Sequence, residues 1–192
     1  MFRVSMPRIS RIGVVFLTFL AMALNGFAAS KDANALTPGE RLPELRGEYL
    51  SERKATLPAD ASGRVALLML GFTYKSRFAV EDWGKRFRAE FEKNSQVTFY
   101  EIPMISGLGR TAKWFIDSGM RRGTPKSDYE NVITVYGGTD PWKQRLNVVN
   151  EADAYLILLD PKGNVAWLHT GALNDNSYRE LSEQVRKLVP AP

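Results

Sequence analysis

The chain of 192 residues carries 26 basic and 21 acidic side chains, a single histidine and no cysteine. Without cysteine there are no disulfide staples, no thiolate nucleophile and no thiolate metal site. Arg3, Arg8 and Arg11 supply the excess charge: beyond position 28 the count falls to 23 basic against 21 acidic, and no basic stripe with interleaved aromatics marks a nucleic-acid surface.

Residues 1–28 pair those three arginines with the apolar run Ile12 to Leu24 and small residues at Gly26 and Ala28. This is the pattern of a secretory signal cleaved after Ala28; the alternative is a retained anchor, the apolar run being short for a span. Residues 29–43 shift to Lys, Asp, Asn, Thr, Pro and Gly and read as a tether, and residues 44–192 read as one domain of a length that sustains a real core. Arg46 to Leu57 is expected to form a hairpin, with Pro58 to Gly63 turning into the next element. Val65 to Leu70 is apolar at every position, as a central strand covered on both faces should be. After a loop from Phe72 to Phe78, residues Val80, Trp83, Phe87 and Phe91 recur at i, i+3, i+7 and i+11 and predict a helix to about Asn94, with Trp83 in the core.

Gln96 to Ile102 alternates as a strand, which Pro103 is expected to end. Together these elements make a right-handed βαβ unit. Gly107 and Gly109 open a second helix over Arg110 to Arg121, with Trp114 and Phe115 expected to face inward; the missing third glycine and the absent Gly-Lys-Ser/Thr ending argue against a phosphate loop. Val132 to Tyr136 reads as a strand and Trp142 to Asn147 as a short helix or turn. Ala154 to Asp160 and Asn164 to Thr170 form a hairpin with Gly163 at its tip, which places His169 on the side of Val165 and Trp167. A last helix spans Asn174 to Val189, capped by Asn174 or Ser177, with Tyr178, Leu181, Val185 and Leu188 on one face.

The strand, the loop from Gly71 to Tyr74 and the helix with its early Trp83 resemble the start of a thioredoxin-like domain of the redoxin type. Leu36 to Pro43 resembles the redoxin entrance. Leu158 to Trp167, then Gly171 to Asn174 and a closing helix, resembles its C-terminal end. The resemblance implies an α/β thioredoxin-like fold, a central mixed β-sheet flanked by helices, with an N-terminal hairpin extension. In that family the loop carries reactive cysteines and a cis-proline faces them from just before the later strand. Here Tyr74 to Val80 holds no cysteine, and the proline position falls on or near Ala154, with no proline between Pro141 and Pro161. Both halves of the redox site are missing.

The middle of the chain is similar to the mitochondrial assembly-factor family for the membrane sector of ATP synthase, the "ATP ten" family. Trp114 and Phe115, Gly119 to Arg121, Tyr129 to Tyr136, Arg145 to Asn147, and Tyr155 to Asp160 with Trp167 carry that likeness. It implies a non-catalytic exported binding or assembly factor that chaperones a protein client, a subunit of a membrane complex, with no cofactor and with peripheral or no membrane contact once the signal is removed. The candidate contacts on the old active-site face are Phe72, Tyr74, Lys75, Arg77, Phe78, Trp142 and Trp167. Lys75 and Arg77 either hold an anion at the helix N-terminus or are solvated. The competing reading is a non-thiol enzyme such as a hydrolase, with Ser76 as nucleophile, His169 as base and Asp160 as orienter, though the Gly-x-Ser-x-Gly elbow is absent. A metal site is not expected: His169 stands alone, and of the methionines beyond the signal, Met69, Met104 and Met120, the first belongs to the core strand.

Overall fold

The computed structural model describes residues 34–107 and 110–189; the signal-like segment lies outside them. Its strands are β1 (Leu45–Tyr49), β2 (Lys54–Leu57), β3 (Val65–Gly71), β4 (Val97–Ile105), β5 (Ile133–Tyr136), β6 (Ala154–Leu159) and β7 (Val165–Thr170). Helices α1 (Ser76–Phe91), α2 (Arg110–Gly123), α3 (Thr139–Arg145) and α4 (Asp175–Leu188) connect or close them. All seven strands lie in one mixed sheet in the order β2-β1-β5-β4-β3-β6-β7, with β3, β4 and β5 parallel and the hairpins at both flanks antiparallel. No described helix is long and apolar enough to cross a membrane.

The unbroken apolar run of β3 is explained by its place: β4 and β6 flank it and cores lie on both faces. On one face Val65, Leu67 and Met69 meet Val80, Trp83, Phe87 and Phe91 of α1 and Tyr178, Leu181 and Val185 of α4. On the other, Ala66, Leu68 and Leu70 meet Tyr49, Ile133, Tyr155 and Trp142. Trp83 is fully buried, as its helical spacing predicts, and its indole Nε1 donates to the Gly171 carbonyl at 3.1 Å. Asn174 is the cap of α4, its side chain accepting from the Ser177 N–H at 3.0 Å.

Four expectations are corrected. The stretch read as a tether is packed down from Leu36 onward: Leu36 and Leu42 are buried, and the Leu36, Gly39 and Leu42 N–H groups donate to the carbonyls of Arg145, Val165 and Gly163. Pro103 does not end its strand. It pairs with Gly71 where the β3 ladder runs out, and β5 takes over at Met104, so the missing N–H falls at the handover. Where β7 pairs with β6 the register shifts between Leu158 and Leu159, which face Trp167 and Val165 and leave Ala166 as the extra residue. This bulge puts Val165 in one core and Trp167 against the other, so Trp167 and His169 do not share a side with Val165.

The fourth correction concerns α2, whose Trp114 and Phe115 point outward, 71% and 68% exposed, while Asp117 is only 3% exposed. The reason lies across the sheet. Glu48 of β1 and Tyr136 of β5 present polar groups beneath this helix. Lys113 Nζ sits 2.7 Å from both the Glu48 and the Asp117 carboxylates, and the Tyr136 hydroxyl donates to Asp117 at 2.7 Å. Arg121 adds a donation to the Leu50 carbonyl at 2.9 Å. Turning the helix over would leave these buried groups unpaired, at a cost of several kcal/mol.

Candidate functional site

The loop that joins β3 to α1 is shaped by two side chains that satisfy each other's backbone. The Thr73 N–H donates to Ser76 Oγ at 3.1 Å, and Ser76 Oγ donates to the Thr73 carbonyl at 2.7 Å. Thr73 Oγ1 in turn accepts from the Ser76 N–H at 3.3 Å, which caps the first turn of the helix. A Cβ at Gly71 would stand 2.7 Å from Ser76 Oγ, so only glycine lets this fully buried serine seat itself.

The capped turn projects Tyr74, Lys75, Arg77 and Phe78 to the surface. Arg77 lies between two rings, its guanidinium carbon 4.5 Å from the Tyr74 centroid and 4.8 Å from that of Phe78, and the rings meet edge-on at 6.2 Å. Glu81, one turn on, lies 3.7 Å from Arg77 Nε. The result is an exposed aromatic pair with a guanidinium held against it by cation–π attraction and a loose ion pair. Lys75 is exposed beside it.

The start of β6 faces this loop, as expected. Gly71 pairs with Ala154, and Thr73 Oγ1 donates to the Glu151 carbonyl at 3.0 Å. The segment before Ala154 is held by Lys143 Nζ on the Glu151 carboxylate at 2.6 Å and by the Tyr155 hydroxyl donating to the Asn150 carbonyl at 3.1 Å. Two loops therefore meet at the carboxyl edge of β3 without a thiol or a proline between them.

The candidate contacts do not all converge. Tyr74, Lys75 and Arg77 stand together, with Phe78. Phe72 and Trp142 lie beneath the loop in the core, each only 7% exposed; Phe72 packs edge-on against Tyr155 at 5.6 Å. Trp167 is on the edge strand β7, stacked on His169 at 5.3 Å. The hydrolase constellation does not assemble. Ser76 Oγ is buried and committed to Thr73, and His169 is wedged between Trp167 and Trp83, with burial pulling its pKa below the ordinary value. Asp160 closes the β6–β7 turn, accepting from the Lys162 and Asn164 N–H groups at 2.8 Å. That turn is at the far end of β6 from Ala154. Among the described residues no three His, Asp or Glu side chains converge as a metal site would need.

Two features elsewhere in the fold are not visible in the periodicity of the sequence. One is the Lys113–Asp117 pair, whose i,i+4 spacing is the only local hint of it. The other is Glu101 on β4, a carboxyl pressed under α1: a Cβ at Gly84 would stand 2.7 Å from its Oε1. Burial raises its pKa to about 7, helped by Glu81 and Asp128 and opposed by Arg88 and Lys85. A cavity of about 430 Å³, lined by Phe87, Arg88, Phe91, Phe99 and Asp128 among others, opens at the amino end of β4, away from the loop.

No protein-family model and no curated protein matches this sequence. Solved structures do. A candidate protein disulfide isomerase from Bacteroides thetaiotaomicron is 15% identical with a TM-score of 0.55, over 80% of this chain and 90% of its own. A candidate thiol:disulfide interchange protein DsbE from Chlorobium tepidum gives 15% and 0.55, over 80% and 99%. BsSco, a member of the Sco family of cytochrome c oxidase assembly proteins, gives 14% and 0.51, over 79% and 97%. At such identities the likeness concerns the backbone alone, and it is enough to establish that this cysteine-free chain has a thioredoxin-like fold.

Proposed function

We propose that the protein is a non-catalytic, exported thioredoxin-like binding protein that acts as an assembly factor or chaperone for a membrane complex, as the likeness to the "ATP ten" family implies. One observation carries the reading. At the edge of the sheet where redoxins hold their thiols, this chain presents Tyr74 and Phe78 around Arg77, side chains suited to gripping a partner and unable to exchange disulfides. The buried, internally bonded Ser76 and the dispersed His169 and Asp160 weigh against the hydrolase alternative. Export is supported by the signal-like residues 1–28, and the partner is expected to be a protein, with no cofactor and no nucleic acid.

The test is site-specific photo-crosslinking from position 74 in cells, with adducts identified by mass spectrometry. A discrete adduct with one membrane-complex subunit is expected. Tyr74→Ala with Arg77→Ala should weaken its capture by roughly 2 kcal/mol, the scale of an interface hot spot, and leave Tm nearly unchanged because both side chains are exposed. Undiminished capture, or a double variant that melts well below the parent, would refute the proposal.

A further inference from the structure

Helix α2 has its amphipathicity turned outward. Its inner side is polar and paired, with Lys113 between Glu48 and Asp117, and Tyr136 on Asp117. Its outer side carries Trp114 and Phe115, the two adjacent exposed aromatics. At helical spacing Ser118 and Arg122 continue this outer stripe, at i+4 and i+8 from Trp114. Arg122 is exposed, and its guanidinium approaches within 4.0 Å of where a Cβ of Gly119 would be, so it lies back along the helix. Lys126, three residues beyond the exposed Gly123 that ends α2, is exposed as well.

Charge says what such a face meets. Residues 110–126 hold five basic side chains and one acidic, net +4, whereas everything beyond Ala28 sums to only +2. Asp117 and Glu48 pair with Lys113 and Glu52 pairs with Arg121, which leaves the exposed Arg122 and Lys126 as the cations on the open side. A helix with adjacent Trp and Phe on its open face and the exposed cations Arg122 and Lys126 at its carboxyl end matches an interface between anionic headgroups and acyl chains, where the rings bury in the boundary and the cations meet phosphate.

We propose that the outer face of α2, Trp114 and Phe115 with Arg122, docks on the surface of an anionic lipid bilayer. This contact is separate from the client loop around Tyr74, so either proposal can fail without the other.

Tryptophan fluorescence of the full chain tests it directly. The tryptophans are Trp83, Trp114, Trp142 and Trp167; Trp83 and Trp142 are buried, Trp167 is partly so, and none lies in residues 1–33. Insertion of the N-terminal segment is therefore silent, and Trp114 reports on α2. With vesicles of brominated phosphatidylglycerol the emission should shift to the blue and be quenched, and both effects should disappear in Trp114→Phe, a change that keeps the face apolar. Phe115→Ser with Arg122→Glu should lower the vesicle affinity read from Trp114 roughly tenfold or more, one exposed ring's burial being worth at least that. Raising NaCl from about 0.1 to 1 M should weaken it too. Emission unmoved by the vesicles would overturn the proposal and leave the face to a protein partner, as would quenching that persists in Trp114→Phe or equal response to phosphatidylcholine vesicles.

Discussion

Glu101 is a test of the packing between α1 and the sheet. Gly84 brings the α1 backbone onto its carboxyl, and burial raises its pKa from the ordinary 4.5 to about 7. In the unfolded chain the group loses its proton near 4.5, while in the folded chain it keeps it until about 7. Between those values the folded state binds more protons, so stability falls as pH rises through this window and is level above it. At 1.36 kcal/mol for each pH unit the loss amounts to about 3 kcal/mol. Glu101→Gln removes the ionisation with little change in shape. Urea denaturation of both proteins, followed by far-UV circular dichroism from pH 4 to 8.5, should give nearly equal stabilities near pH 4.5. The variant should gain progressively to about 3 kcal/mol at pH 8. The difference between the two curves isolates this one group from every other titration. A flat difference, or a variant less stable than the parent at pH 8, would show that Glu101 is solvated or paired and that α1 does not press on it.

Trp83→Ala should cost about 3–5 kcal/mol and unfold much of the population, since it removes a fully buried ring and the bond to Gly171; chemical denaturation measures it, and a loss under 1 kcal/mol would contradict its place in the core. Asp117→Ala should destabilise by on the order of 2 kcal/mol, less than a fully buried pair because Lys113 is 31% exposed. It should also speed amide exchange in α2, and exchange unchanged there would refute the view that this network orients the helix. Edman sequencing of the exported protein should start at Ala29; Met1 in a membrane fraction would instead identify a retained anchor.

Short-range pattern was enough for most of the architecture. The apolar run of β3, the stripe Val80, Trp83, Phe87 and Phe91, the β6–β7 hairpin and the Asn174 cap each depend on residues within a few turns of one another. They folded where periodicity placed them. The absence of cysteine is likewise a property of composition, and the loop that faces Ala154 follows from the order of the elements. What the chain alone could not decide was which stripe of α2 faces the sheet. Hydrophobicity favours Trp114 and Phe115, but Glu48 and Tyr136, from strands far away in sequence, meet at that spot and demand Lys113 and Asp117 instead. The same holds for Phe72 and Trp142, which look like surface aromatics in a loop and a short helix until the sheet's second core closes over them. Local sequence sets the period of an element, whereas the face it buries is chosen by whichever distant groups would otherwise be left without a partner.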